Sequence, residues 1–325
     1  MLNRLDPELA AALAALPEEW LVDLHDIPAA RITALERSRR LAAQAPPLPA
    51  GVTISDAQVP AQGDRPAIPV RLYQPEGVAR PAPALLWIHG GGYVMGTVAQ
   101  EDYRLVPLAL QVPCVIVSVD YRLAPEHPYP TPLEDCYAAL RWVWDEATAL
   151  GIDPQRIAIG GASAGGGLTA ALALLARDRG EVSVAFQLLI YPMLDDRNQT
   201  PSSYEVTDRR LIWTRELNLI GWRAYLGREP GSADVPAYAA PARAEDLTGL
   251  PPAYVMVGEC DLFRDEDIAY AQRLLQAGVA TELHVYPGAF HGFDGFAPQA
   301  SVSQRARAEI AAALQRAFQG GVRTA

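Results

Sequence analysis

From residue 84 onward, short apolar runs alternate with longer stretches of helical spacing. The runs fall at residues 84–88, 115–119, 157–159, 185–190, 253–257 and 282–286. Runs this short and this apolar suit buried parallel strands, where helices cover both faces of a sheet. Ahead of them, residues 52–59 and 68–73 read as two strands joined by the turn Gly63-Asp64-Arg65-Pro66, which predicts an antiparallel pair. Residues 1 to about 45 are rich in Ala, Leu and Arg and read as helical up to the Pro-rich stretch 45–49. Between Pro192 and about Pro251 the rhythm breaks into polar loops, prolines and a helical segment at 211–225. That is too long for an ordinary connection and predicts an inserted lid or binding element. Residues 303–318 read as a closing amphipathic helix. The fold class is therefore α/β, with a mostly parallel central sheet flanked by helices.

Composition narrows the partners. The chain has 325 residues, half of them hydrophobic and a fifth charged, which predicts a sizeable core and one large domain with an accessory subdomain. The formal net charge of −11 repels phosphate backbones, and no long Lys/Arg cluster offsets it, so no nucleic-acid partner is expected. Cys114, Cys136 and Cys260 form no CxxC pair. They imply neither a disulfide framework nor a zinc site, and they fit a reducing compartment as small buried hydrophobes. The Ala/Leu run at 9–16 follows Asp6 and Glu8, has only Arg4 as a positive flank, and leads into Pro17-Glu18-Glu19. It reads as a surface helix rather than a signal peptide. No stretch is long and apolar enough to span a membrane, and the expected location is the cytoplasm.

The sharpest chemical signal is Gly160-Gly161-Ala162-Ser163-Ala164-Gly165-Gly166, between the 157–159 strand and a helix at 168–177. G-x-S-x-G at a strand-to-helix junction is a nucleophile elbow. The turn forces Ser163 into a strained backbone, and Gly161 and Gly165 omit side chains where strand and helix nearly touch. A plain N-cap serine is the bland alternative. A dinucleotide fingerprint, Gly165-x-Gly167-x-x-Ala170, is a second, but it falls inside the helix and leaves Ser163 unexplained. The second signal is His89-Gly90-Gly91-Gly92, directly after the 84–88 strand. Consecutive glycines let backbone N–H groups converge on one point, as an oxyanion hole requires, together with the N–H after the nucleophile, that of Ala164.

A serine nucleophile needs a base. Of five histidines, His25 lies in the N-terminal helical region, His89 in the glycine motif, His127 in a turn and His284 in a strand pattern. His291 lies just past the last strand, at the sheet edge that also carries the elbow. The orienting acid has two candidates, Asp261 and Glu259, after the 253–257 strand. Asp265, Glu266 and Asp267 begin the next helix, where acids commonly do no more than favour the helix dipole. The chain order Ser163, Asp261, His291 matches that of the α/β-hydrolases.

With these residues in view, the chain resembles the hormone-sensitive-lipase-like branch (bacterial family IV esterases) of the α/β-hydrolase superfamily. The match runs from about Leu85 to Phe293 through HGGGYVMG (89–96), VDYRLAPEHPYP (119–130), GGASAGGG (160–167), DLFRDED (261–267) and FHGF (290–293). The resemblance implies Ser163 as nucleophile, His291 as base then acid, Asp261 as its orienter, and Gly91, Gly92 and Ala164 as the oxyanion donors. It implies an α/β-hydrolase fold at 51–325 and a helical cap made of residues 1–50 and an insertion at about 195–235. The expected activity is that of a serine carboxylesterase on short-chain or aryl esters, through an acyl-enzyme, with no cofactor and no metal. Two departures stand out: Ala162 where the family usually has Asp, and Asp261-Leu262-Phe263 where it usually has Asp-Pro-Leu. An amidase or lactonase using the same triad is the alternative activity. A ligand-binding protein on this fold is a third reading, against which the retained His291 argues. A homodimer paired through the last strand is also compatible with the resemblance.

Overall fold

Eight strands build one sheet in the computed structural model, which describes residues 1–319. They are β1 (Val52–Val59), β2 (Ile68–Pro75), β3 (Ala82–Ile88), β4 (Val115–Val119), β5 (Ile152–Ala162), β6 (Phe186–Ile190), β7 (Ala253–Gly258) and β8 (Thr281–Tyr286), in the spatial order β1-β2-β4-β3-β5-β6-β7-β8. β1 and β2 form the expected antiparallel pair and β2 runs antiparallel to β4. All later neighbours are parallel. β4, β6 and β7 are buried at every residue, which explains why their sequences read as unbroken apolar runs.

Eleven α-helices complete the described chain. The N-terminal region, which reads as one helical stretch in the sequence, is two helices, α1 (Pro7–Ala14) and α2 (Ile27–Gln44). Asp6 caps α1 by accepting the N–H groups of Glu8 and Leu9, and Asp26 caps α2 through the N–H of Ala29. Two good caps with proline at the first turns start two helices where composition suggests one. Then follow α3 (Asp102–Gln111), α4 (Thr131–Asp145), α5 (Ala147–Leu150) and α6 (Ala164–Arg179). The insertion carries α7 (Pro201–Glu205) and α8 (Arg215–Leu226), and the chain closes with α9 (Arg264–Gln276), α10 (Phe293–Phe296) and α11 (Ser301–Gln319). No helix among the described residues is long and apolar enough to cross a membrane.

The topology locates the crevice. After β3 the chain crosses to β4 on one side, then returns to place β5 on the other side of β3. Such a reversal in strand order opens a cleft at the carboxyl ends of the two strands. Ile88 is in register with Gly161, Ala162 with Ile190, Ile190 with Met256, and Gly258 with Tyr286. The loops that follow β3, β5, β6, β7 and β8 therefore emerge side by side. The N-terminal segment is fastened to the same edge. Arg31 on α2 donates to the carbonyls of Val94 and Ala124 and pairs with Glu126, and the Asp6 N–H donates to the Gly288 carbonyl at 3.0 Å.

Candidate active site

β5 runs straight into the turn at Ser163, and α6 begins one residue later, at Ala164 rather than at Leu168 as the apolar spacing suggests. Ser163 sits at φ 57° and ψ −122°, a conformation that costs a non-glycine residue roughly 1–3 kcal/mol. The surroundings hold it there. Its N–H donates to Ile190 O at 2.9 Å, and its carbonyl accepts from the N–H groups of Gly167 at 2.9 Å and Met193 at 3.0 Å. A Cβ at Gly165 would fall 2.5 Å from the carbonyl oxygen of His89, and one at Gly161 2.6 Å from that of Ile88. No side chain fits in either place, so the expected reason for both glycines holds.

Around this turn the structure brings together the three residues that the sequence singles out. His291 Nε2 lies 2.9 Å from Ser163 Oγ, and His291 Nδ1 lies 2.9 Å from Asp261 Oδ2. Asp261 Oδ1 accepts the N–H of Phe263 at 3.0 Å, so both carboxylate oxygens are occupied. Ser163 is 7 % exposed, His291 6 % and Asp261 0 %. A carboxylate only accepts, so the proton belongs on Nδ1 and the Nε2 lone pair faces the hydroxyl. Three aromatic rings confine the imidazole: Tyr191 and Phe263 edge-on at 4.9 and 5.1 Å, and Trp213 at 6.4 Å.

Glu259, the rival acid, is engaged elsewhere. It pairs with Arg4 at 2.5 Å and accepts the N–H of Gly288 at 2.9 Å, tying the N-terminal segment to the loop before His291. The hydrogen bond from Arg4 holds its carboxyl below the ordinary range. The acids opening α9 do more than favour a dipole. Asp265 accepts the N–H of Ser202, and Glu266 Oε1 accepts those of Leu194 and Asp195, so the pair anchors the insertion to α9. Burial pushes Glu266 and Asp267 well above the usual carboxylate range. Three of the four remaining histidines face other partners, and His127 is exposed. His89 Nδ1 donates to Gly90 O and its ring stacks on Tyr121 at 4.3 Å, His284 pairs with Glu282 on β8, and His25 lies in the turn before α2 beside Asp23.

Gly91 and Gly92 adopt φ 117° and 61°, which glycine alone visits readily. Their loop closes on itself through the Val94 and Met95 N–H groups, both donated to Gly91 O. It also lies against the elbow, since a Cβ at Gly90 would sit 2.9 Å from Ala162 O. Among the described residues, the N–H groups of Gly91, Gly92 and Ala164 donate to no protein acceptor. Three such donors beside the Ser163 hydroxyl form an arrangement that can accept a developing oxyanion. No group of three or more His, Cys, Asp or Glu among the described residues is arranged to hold a metal ion.

Residues that the sequence reading leaves out also shape this site. Trp213, in the insertion, lies against Gly92, and its indole N–H donates to Asn218 Oδ1 at 3.0 Å. Tyr191 hydrogen-bonds with its hydroxyl to Asp294 at 2.8 Å and accepts from Arg104 at 3.1 Å. Arg104 and Asp294 form an ion pair of 2.6 Å, three residues beyond His291. An aromatic in a loop carries no pattern that marks it as lining a site, so neither ring was identifiable beforehand.

Comparison with known proteins agrees with this architecture. The profile of a family described by the alpha/beta hydrolase fold matches residues 85–295. The chain is 40 % identical over 252 residues to carboxylesterase NlhH of Mycobacterium tuberculosis, covering 77 % of this chain and 79 % of that one. It is 39 % identical over 297 residues to esterase LipI of the same organism, covering 90 % and 89 %. A solved structure described as a bacterial heroin esterase superposes with a TM-score of 0.93 at 46 % identity, covering 98 % of this chain and 99 % of that one. The chain belongs to the alpha/beta hydrolase family, in its hormone-sensitive-lipase-like branch.

Proposed function

We propose that the chain is a serine carboxylesterase that cleaves short-chain or aryl carboxylic esters through an acyl-enzyme on Ser163. The observation that carries this reading is the unbroken hydrogen-bonded line from Ser163 through His291 to Asp261, next to three unengaged N–H groups. Ser163 Oγ attacks the ester carbonyl while His291 Nε2 takes its proton. The negative oxygen of the tetrahedral intermediate settles on the N–H groups of Gly91, Gly92 and Ala164. His291 returns the proton to the leaving alkoxide, and the alcohol departs. Water then attacks the acyl group, with His291 as base and Ser163 as leaving group. Asp261 holds the imidazole in the required tautomer and offsets its charge in both halves.

Residues 1–50 and about 195–235 are proposed as the cap over the site. Arg31 fastens α2 to the loop after Gly92, and Trp213 brings the insertion onto Gly92 itself, which supports the assignment. An amidase using the same triad would also have to expel an amine, so matched ester and anilide substrates separate the two readings. A homodimer is proposed through β8, which among the described residues has one unpaired edge. Light scattering at twice the 35.1 kDa chain mass tests it. The cytoplasm is the proposed location, in keeping with three free, buried cysteines. The activity itself is tested with p-nitrophenyl esters from acetate to decanoate. Turnover concentrated on short chains and abolished in Ser163→Ala supports the proposal, and turnover surviving that substitution ends it.

A further inference from the structure

We infer that Trp213 is the specificity-determining wall on the leaving-group side of the site and that it favours esters of aromatic alcohols. The inference rests on the esterase reading above and adds to it which face of the ester is selected, and by which residue. Its starting point is a backbone outlier. Ile212 lies at φ 73° and ψ −57°, and the Trp213 N–H donates to Leu211 O at 2.8 Å. This is a γ-turn of the rare, strained hand, centred on a β-branched residue that seldom accepts a positive φ. Strain of this kind persists only where the surroundings enforce it. What the turn delivers is the indole of the next residue.

The indole is held on both sides. Its Nε1 donates to Asn218 Oδ1 one turn into α8, and the Asn218 N–H donates to Thr214 O at 2.9 Å. Thr214 also caps that helix. At its other end the benzo edge of the ring touches the glycine loop. A Cβ at Gly92 would sit 2.9 Å from Trp213 Cζ2 and closer still to Cη2. Gly221 on α8 lies nearby, where a Cβ would be 3.0 Å from Gly92 O and 3.5 Å from Trp213 Cζ2. Two positions without side chains thus let the indole and α8 close on the loop. Trp213 is buried, and its ring centroid lies 6.4 Å from that of His291.

The chemistry of the step fixes which part of the ester the ring borders. The carbonyl oxygen lies on the N–H groups of Gly91, Gly92 and Ala164, and the leaving oxygen must come within hydrogen-bond reach of His291 Nε2. The acyl chain takes the remaining direction from the carbonyl carbon. A ring that touches the glycine loop and flanks the imidazole therefore borders the alcohol portion. A phenolic leaving group can stack on the indole, and an alkyl group gains less from the same surface.

The test compares wild type with Trp213→Phe and Trp213→Ala on phenyl acetate and ethyl acetate, and on p-nitrophenyl acetate and hexanoate. Because kcat/KM reports acylation, ratios between substrates compare variants directly. Loss of the indole is expected to lower the phenyl-to-ethyl ratio about three- to tenfold in Trp213→Ala. The hexanoate-to-acetate ratio stays within about twofold, and Trp213→Phe keeps most of the aryl preference. Ile212→Gly, which removes the strain and loosens the ring, should lose part of the preference, and with Trp213→Phe it carries the test if Trp213→Ala misfolds. An unchanged phenyl-to-ethyl ratio in the folded variants, or a change in the acyl series instead, overturns the assignment. Failure of wild type to hydrolyse any of these esters would instead strike the esterase reading.

Discussion

Asparagine at position 261 separates the two acids that the sequence leaves in competition. Asp261 Oδ1 accepts the Phe263 N–H at 3.0 Å and Oδ2 faces His291 Nδ1 at 2.9 Å. In Asp261→Asn the amide carbonyl must take the Phe263 side, because an NH2 there would confront another donor. The NH2 then points at Nδ1, which has to become an acceptor, and the ring proton moves to Nε2, facing Ser163. A base with its lone pair on the wrong nitrogen cannot take the serine proton. In a serine–histidine–aspartate triad this exchange lowers kcat by about 10⁴-fold, or about 5 kcal/mol of transition-state stabilisation. Glu259→Gln is the matched control. Its partner Arg4 is half-exposed, the Gly288 N–H still finds an amide oxygen, and an ion pair of this kind contributes about 0–1 kcal/mol. We predict kcat within about threefold of wild type. Kinetics on p-nitrophenyl acetate, with active-site titration to discount wild-type carry-over, checks both variants. Comparable losses in the two, or an Asp261→Asn enzyme within tenfold of wild type, would refute the reasoning.

Further outcomes follow from the surrounding structure. Gly92→Ala strains a backbone at φ 61° and drives a methyl group into Trp213, so kcat should fall about 10²–10³-fold while the circular dichroism spectrum stays native. Asp294→Ala removes the nearer carboxylate of the largely buried Arg104 guanidinium, leaving Glu101 at 3.6 Å, and should cost about 3 kcal/mol in urea unfolding. Burial raises the Asp294 carboxyl, but Arg104 and its hydrogen bonds outweigh this and hold it below its ordinary value of 3.8. Its contribution is therefore present in full above that value and is lost as pH falls through the lower, folded-state one, so wild type and variant should converge in acid melts. Asp267 has the opposite sign. Burial, joined by the charges of Glu266 and Asp261, raises it well above 3.8, and among the described residues neither of its oxygens has a partner. Its contribution is lost as pH rises, so Asp267→Asn should gain in melting temperature over wild type between pH 4 and pH 8.

Where the sequence was legible, one strong local pattern carried each inference. The buried strands announced themselves as apolar runs, and the elbow as glycines at a spacing that only a turn without side chains requires. Asp261 and His291 were readable because the ends of parallel strands share one edge, so position after a strand implies position in space. The strand order was not readable, because nothing local in residues 115–119 says that β4 lies between β2 and β3. The break between α1 and α2 is masked in composition, because residues 15–26 keep an apolar content similar to that of the helices, and only the caps Asp6 and Asp26 with their prolines mark it. Glu266 and Asp267 looked like ordinary first-turn acids, since burial of a helix face is a tertiary fact. Trp213 was hidden for the same reason: isoleucine at 212 argues against the positive φ that it adopts, and only packing against Gly92 and Asn218 enforces it.

Peptide mass mapping of the protein inactivated by a p-nitrophenyl alkylphosphonate tests the central claim most directly, because the reagent bonds covalently to whichever oxygen is activated. The phosphonyl mass should reside stoichiometrically on the peptide containing Ser163, and inactivation should slow in Asp261→Asn. Full inactivation with Ser163 unmodified and the label on another residue would contradict it.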